Sequence, residues 1–166
     1  MDLEIVLRPI ELADNSLLAK IIRAGIVTLG LPTEGTAHSD STTDDLFALF
    51  KKPGAYYFVV ELQGEVLGGC GVYPSNGLPE GYAELVRFFL DPKVRGKGVG
   101  KLLMQQCEQK ALELGYRYLY LESFPEMETA VYLYQLYGFK TLAAPLGNTG
   151  HFACNVWMEK QIYEVV

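Results

Sequence analysis

Seven consecutive residues, Arg95-Gly96-Lys97-Gly98-Val99-Gly100-Lys101, put three glycines and three cations into one short loop. That composition is an anion site. Before it runs an apolar and aromatic stretch, residues 82–90, closed by Asp91-Pro92, where proline removes a ladder donor and restricts the residue preceding it. After it Leu103, Cys107, Ala111 and Leu114 recur at helical spacing up to Gly115, which predicts a helix that begins inside the glycine loop. The first N–H groups of a helix have no intrahelical partner and sit at the positive end of its dipole. With the glycines clearing side chains from the approach, and Arg95, Lys97 and Lys101 adding formal charge, a diphosphate is the expected guest.

Spacing separates the possible nucleotide loops. A Walker loop needs glycine at position 95 and Ser or Thr at 102, where this chain has Arg95 and Leu102. ATP does not fit. The dinucleotide fingerprint needs a third glycine where Lys101 stands, although Glu122, near the end of the next strand, could serve as a ribose-binding acid and keeps an NAD reading open.

The remaining elements must hold this loop in place. Leu3 to Leu7 reads as a first strand, and Asp14-Asn15-Ser16 offers caps for a helix carrying Leu17, Leu18, Ile21 and Ile22. The polar segment Leu31 to Asp40, with Glu34, Gly35, Thr36, His38 and Asp40, is a loop suited to face a substrate. A short helix follows and stops at Pro53-Gly54. Ala55 to Leu62 and Val66 to Tyr73 form a hairpin around Gln63-Gly64, in which Gly68, Gly69 and Gly71 indicate a bulge or a close backbone approach. On the central strand Glu84 should share a face with Val86, Phe88 and Leu90. Tyr116 to Phe124 is a strand and Ala130 to Tyr137 a helix, followed by a last strand pair, Phe139 to Pro145 and Phe152 to Met158, around Gly147-Asn148-Thr149-Gly150. The tight early hairpin excludes a purely doubly wound parallel sheet.

At 166 residues, 49% of them apolar, one domain spanning 1–166 is expected. The net charge of −6 argues against nucleic acid and anionic membranes as partners, and it suits a cationic amine. There is no run of about 18 apolar residues, and the start Met1-Asp2-Leu3-Glu4 lacks a basic leader region. A cytoplasmic protein is expected. Cys70, Cys107 and Cys154 form neither a Cys-x-x-Cys pair nor an even set, so no metal site and no disulfide framework are indicated.

The run Arg95-Gly96-Lys97-Gly98-Val99-Gly100 resembles the Arg/Gln-x-x-Gly-x-Gly/Ala signature of the GNAT superfamily of N-acetyltransferases. A second run, Ala130-Val131-Tyr132-Leu133-Tyr134-Gln135-Leu136-Tyr137-Gly138-Phe139, is similar to that superfamily's Ala-x-x-Leu-Tyr-x-x-x-Gly-Phe ending. The two matches cover roughly residues 83–140. The resemblance implies a single α/β (α+β) domain with a mixed, V-split sheet of about seven strands flanked by helices. It also implies acetyl-CoA as co-substrate at the split, held by residues 95–101, with Phe88, Phe89 and Leu90 along the pantetheine. Met127 departs from an asparagine common in the family. A small-molecule or peptide amine is the implied partner, and monomer and homodimer both stay open.

Acyl transfer from a thioester to an amine must remove a proton from the amine, supply donors to an oxyanion and protonate the departing thiolate. The resemblance maps the oxyanion donor to the Leu90 N–H and the acid to Tyr134, whose phenol, with a pKa of about 10, keeps its proton at neutral pH. Two carboxylates compete as base. Glu122 follows Tyr118 and Tyr120 at period two, and Glu84 lies on the central strand; burial would raise either pKa toward the working range. His151, directly after Gly150, and Glu34 are candidates to line the amine pocket. His151 and Cys154, three apart on an expected strand, should point to opposite faces and form no dyad. A non-catalytic acyl-CoA-binding module is the remaining alternative.

Overall fold

A computed structural model describes residues 4–164 of the chain, so Leu3, where the first strand was expected to begin, lies outside the described residues. Seven strands form one sheet in the order β1-β2-β3-β4-β5-β7-β6. They are β1 (Ile5–Pro9), β2 (Tyr56–Leu62), β3 (Glu65–Tyr73), β4 (Tyr82–Leu90), β5 (Tyr118–Ser123), β6 (Lys140–Leu142) and β7 (Val156–Gln161). β1 to β4 are an antiparallel meander, β4 and β5 run parallel, and β7 is antiparallel to both of its neighbours. The sheet is therefore mixed, as the short Gln63-Gly64 turn required.

Helices cover both faces. α1 (Asn15–Thr28) buries Leu18, Ala19, Ile22 and Ile26 as one apolar stripe, and with the short α2 (Leu46–Leu49) it packs on a core containing Tyr57, Val59 and Phe124. α3 (Val99–Glu113) and α4 (Glu128–Leu136) close the other face, where Leu103, Cys107 and Tyr134 meet Ala83, Leu85, Leu119 and Met158. Leu114, expected on the buried face of α3, falls beyond the helix end and is 40% exposed.

Two irregularities shape the centre. β4 pairs with β5 only through Tyr82–Tyr118, Ala83–Leu119 and Glu84–Tyr120, so from Leu85 onward the two strands splay apart. At the same place the β3–β4 register slips, and Arg87 takes a positive φ of 52°, as a bulge does when it bends a strand. The bulge overturns the simple alternation expected for this strand. Val86 faces the α1 core, whereas Phe88 and Leu90 face the α3 core and Phe89 faces α1. Glu84 therefore shares a face with Val86 and not with Phe88 or Leu90. The glycines of β3 have the predicted cause: a Cβ on Gly68 would lie 2.2 Å from the Phe89 carbonyl oxygen.

The last strand pair is shorter and later than expected. β6 ends at Leu142 and β7 begins at Val156, leaving 143–155 as a long loop whose main chain bonds to the loop residues Asn76 and Gly35 and, at its last residue, to Ser123 at the end of β5. His151 and Cys154 lie in this loop, with the Cys154 N–H donating to the His151 carbonyl at 3.2 Å, so strand alternation does not describe them.

Candidate active site

The glycine loop opens α3 as the sequence indicates. Gly98 is the N-cap, in the left-handed region at φ 76°, and its carbonyl accepts the first helical hydrogen bond, from the Leu102 N–H at 3.1 Å. The amides of Val99, Gly100 and Lys101 are thus left without intrahelical acceptors. Among the described residues, nothing beyond Gly98's own chain neighbours lies within 4 Å of the place a Gly98 Cβ would occupy; a side chain there would enter open space at the start of the helix and strain the backbone. This space belongs to a cavity of about 620 Å³ lined by Phe88, Phe89 and Leu90 of β4, by Arg95, Gly96, Gly98, Val99, Gly100 and Lys101, and by Met127 to Ala130, Leu133 and Tyr134. Lys97 is exposed and does not line it. Arg95 turns back to donate from Nε to the Leu90 carbonyl at 3.1 Å.

Register fixes the direction of the Leu90 amide. The Asp91 N–H donates to the Leu67 carbonyl at 2.8 Å, and Gly68 pairs with Leu90. Hydrogen-bonded and non-bonded pairs alternate along an antiparallel ladder, so Leu90 occupies a non-bonded position. Its N–H and C=O point away from β3, toward the gap that the divergence of β5 opens.

A second, smaller cavity of about 80 Å³ runs through that gap. From β4 it is lined by Glu84 to Phe89, from β5 by Leu121, Glu122 and Ser123, and from the surrounding loops by Thr36, Ala37, His151 and Cys154. Phe88, Phe89, Met127 and Tyr134 border both cavities. Tyr134 is 5% exposed, its ring edge-on to Phe88 at 6.1 Å and to Phe139 at 5.8 Å. Burial, aided by the neighbouring Cys70 and Cys107 thiols, pushes its phenol well above the ordinary value.

The two carboxylates are in different states. Glu84 is 4% exposed, and burial, with a contribution from nearby Glu122, raises its pKa to about 8 against the opposing hydrogen bond from Ser75 Oγ at 2.5 Å and the charge of Arg87. Glu122 accepts from the Tyr120 hydroxyl at Oε2, at 2.7 Å, and from the Thr149 hydroxyl at Oε1. Tyr120 also accepts from the Leu146 N–H at 3.1 Å. Glu122 therefore anchors the 143–155 loop as well as facing the cavity.

Sequence reasoning named His151 and Asp40 but missed Arg87, which joins them. Arg87, 7% exposed, donates from Nη2 to Asp40 Oδ2 and to Thr42 Oγ1, each at 3.0 Å, and its Nη1 lies 3.4 Å from His151 Nε2. His151 Nε2 is also 2.9 Å from Asp40 Oδ2. Burial alone would raise the Asp40 pKa, but the hydrogen bonds from Thr42 and His151 and the charge of Arg87 outweigh it and hold the group below the usual carboxylate range. Of the predicted loop Leu31 to Asp40, Thr36 and Ala37 line the smaller cavity and Asp40 bonds Arg87 in its wall, while Glu34 is exposed and lines neither cavity. One signal was available: a lone arginine inside Leu85-Val86-Arg87-Phe88-Phe89-Leu90 cannot be buried without a partner.

Comparison with known proteins gives a consistent result. A model of the acetyltransferase (GNAT) family matches residues 25–139. The chain is 35% identical over 158 residues to the uncharacterized N-acetyltransferase YjgM of Escherichia coli (strain K12), covering 95% of each chain. It superposes on a GNAT-family acetyltransferase from Staphylococcus aureus Mu50 with a TM-score of 0.79 at 14% identity, over 96% of this chain and 100% of that one. YncA from Salmonella typhimurium, whose structure holds its cofactor acetyl-CoA, gives a TM-score of 0.76 at 18% identity, over 98% of this chain and 96% of that one.

Proposed function

Because this chain belongs to the acetyltransferase (GNAT) family, and is therefore an acyltransferase, we propose that it moves an acetyl group from acetyl-CoA directly to a primary amine of a small molecule or peptide. Family membership sets aside both the NAD-binding and the non-catalytic readings. The observation that carries the proposal is the meeting of two cavities at Phe88, Phe89, Met127 and Tyr134. The larger is headed by unpaired helix amides, and the smaller is lined by carboxylates.

The larger cavity fits a pantetheine diphosphate: its amides face outward, Gly98 leaves the approach open, and an apolar wall of Phe88, Phe89, Leu90 and Leu133 continues from them. When bound, the coenzyme supplies an acetyl thioester. The amides of residues 96–101 would hold its phosphates, and Met127, which lines the cavity, would give apolar contact. The Leu90 N–H, free of the β3 ladder, is placed to donate to developing negative charge on a carbonyl oxygen.

Glu84 takes a proton from the incoming ammonium. Its raised pKa leaves it a competent base close to neutral pH, whereas Glu122, already accepting from two hydroxyls, orients the loop that roofs the cavity. Tyr134 holds its proton at the phenol oxygen until a thiolate departs and then releases it there; its environment opposes earlier ionisation. No described helix is long and apolar enough to cross a membrane, and nothing in this chemistry needs one.

The test is release of free thiol from acetyl-CoA on addition of amines. Turnover is expected with at least one amine class, and Tyr134→Phe should lower kcat by about 10²–10³-fold while leaving coenzyme affinity intact by calorimetry. Absence of thiol release across a broad amine panel, with the coenzyme bound, would overturn the proposal.

A further inference from the structure

Arg87 has more hydrogen-bonding capacity than the protein uses. Of its three nitrogens, Nη2 is saturated by Asp40 and Thr42, Nη1 has only the 3.4 Å approach of His151, and Nε is buried with no acceptor among the described residues. Asp40 cannot meet this demand. Its Oδ2 is shared between Arg87 and His151, and its Oδ1 is occupied by the Thr42 N–H and hydroxyl. The guanidinium thus receives one carboxylate oxygen, whereas its fork matches two. A buried donor left without an acceptor is unfavourable and calls for an explanation.

The positive φ at Arg87 holds this residue at the bulge, and the Tyr57 hydroxyl donates to its carbonyl at 2.8 Å. The bulge thereby places Arg87 in the wall of the smaller cavity, together with Glu84 and Glu122. One small enclosure so presents an under-used cation and two carboxylates.

Resting on the acetyltransferase reading above, we infer that the acceptor is a small zwitterionic amino acid, its carboxylate received by Arg87 and its amine directed to Glu84 and Glu122. A diamine or polyamine would leave the arginine donors unanswered and would set a second positive charge near the guanidinium, which disfavours it. A peptide N-terminus has no free carboxylate one or two carbons from its amine. The cavity, of about 80 Å³, is small and favours small side chains.

The experiment uses the intact protein and matched acceptors: alanine against alaninamide and ethylamine, and β-alanine against propylamine, each assayed for thiol release from acetyl-CoA. The free amino acids are expected to exceed their carboxylate-free partners in kcat/KM by roughly a hundredfold. In Arg87→Lys and Arg87→Met that ratio should collapse toward one, chiefly through KM for the amino acid, and calorimetric titration with coenzyme A identifies variants that remain folded. The wild-type ratio needs no variant. Equal or better turnover of the carboxylate-free amines would overturn the inference and leave the acetyltransferase reading standing. Turnover of neither set, with the coenzyme still bound, would overturn it as well.

Discussion

The two cavities that meet at Tyr134 are built by opposite means. The larger cavity, where the coenzyme is proposed to bind, is headed by main chain from one contiguous segment, where Gly98 turns the backbone and α3 presents its amides. The smaller cavity, proposed for the acceptor, is made of side chains from β4, β5 and loops far apart in sequence, held by Asp40 to Arg87, Asp40 to His151, Ser75 to Glu84 and Thr149 to Glu122. A backbone site tolerates variation in most side chains provided the dihedral angles survive. A site made of paired charges changes its guest when one member changes. One fold can therefore keep a fixed donor and vary its acceptor.

This contrast predicts that the largest loss at the coenzyme end comes from a residue with no side chain. Gly98→Val forces a β-branched residue to φ 76°, which costs about 1–3 kcal/mol, and it fills the space before the helix. The KM for acetyl-CoA should rise about a hundredfold, with the KM for the amine changing far less. If both constants rose together, the two cavities would not be separable.

Glu84→Gln probes the other end, with an expected loss in kcat/KM of about tenfold, below the usual range for a general base because Glu122 lies beside it. In the wild type kcat/KM should climb through an inflection near pH 8, set by the raised Glu84 pKa, and the variant should lose that inflection. Stability gives an independent reading with a definite sign. The folded pKa of about 8 lies above the ordinary glutamate value, so the folded state holds a proton that the unfolded state has released. Glu84's contribution is therefore fully present below the ordinary carboxylate range and is lost as pH rises toward 8. The thermal midpoint of the glutamine variant should gain on that of the wild type as pH is raised from 5 to 9. A gap independent of pH would show that Glu84 is ionised throughout.

The same division explains what could be read before the fold was seen. The glycine loop, the helix after it and the Asp91-Pro92 stop are local, and local rules suffice for them. Glu84 and Glu122 were legible as acids on adjacent strands, though not in their different states, since the hydroxyls that engage Glu122 include one from the 143–155 loop. Arg87 escaped because period-two alternation assumes an unbroken strand; the bulge that shifts Phe88 and Leu90 to the other face arises from β3 pairing and leaves no clear local mark. Asp40 and His151, 111 residues apart in sequence, are joined only by tertiary structure. Glu34 and Asp40 share one polar loop, yet it is Asp40 whose carboxylate bonds Arg87 in the cavity wall, while Glu34 is exposed.

The smallest effect expected is the sharpest test of the contrast. Lys97 sits between Gly96 and Gly98 in the most cationic stretch of the chain, and charge alone would make it a principal phosphate ligand. In the structure it is exposed and borders neither cavity, so its attraction for a diphosphate acts through solvent and is screened within about 8–10 Å at ordinary salt. Lys97→Ala should raise the KM for acetyl-CoA by no more than about threefold at 0.15 M salt, and the difference should shrink further as salt is increased. Main-chain amides in direct contact would be much less sensitive, so the residual affinity of the variant should persist at high salt. A loss approaching that of Gly98→Val would mean that the loop holds its guest by side-chain charge, and the division between a backbone site and a side-chain site would fail.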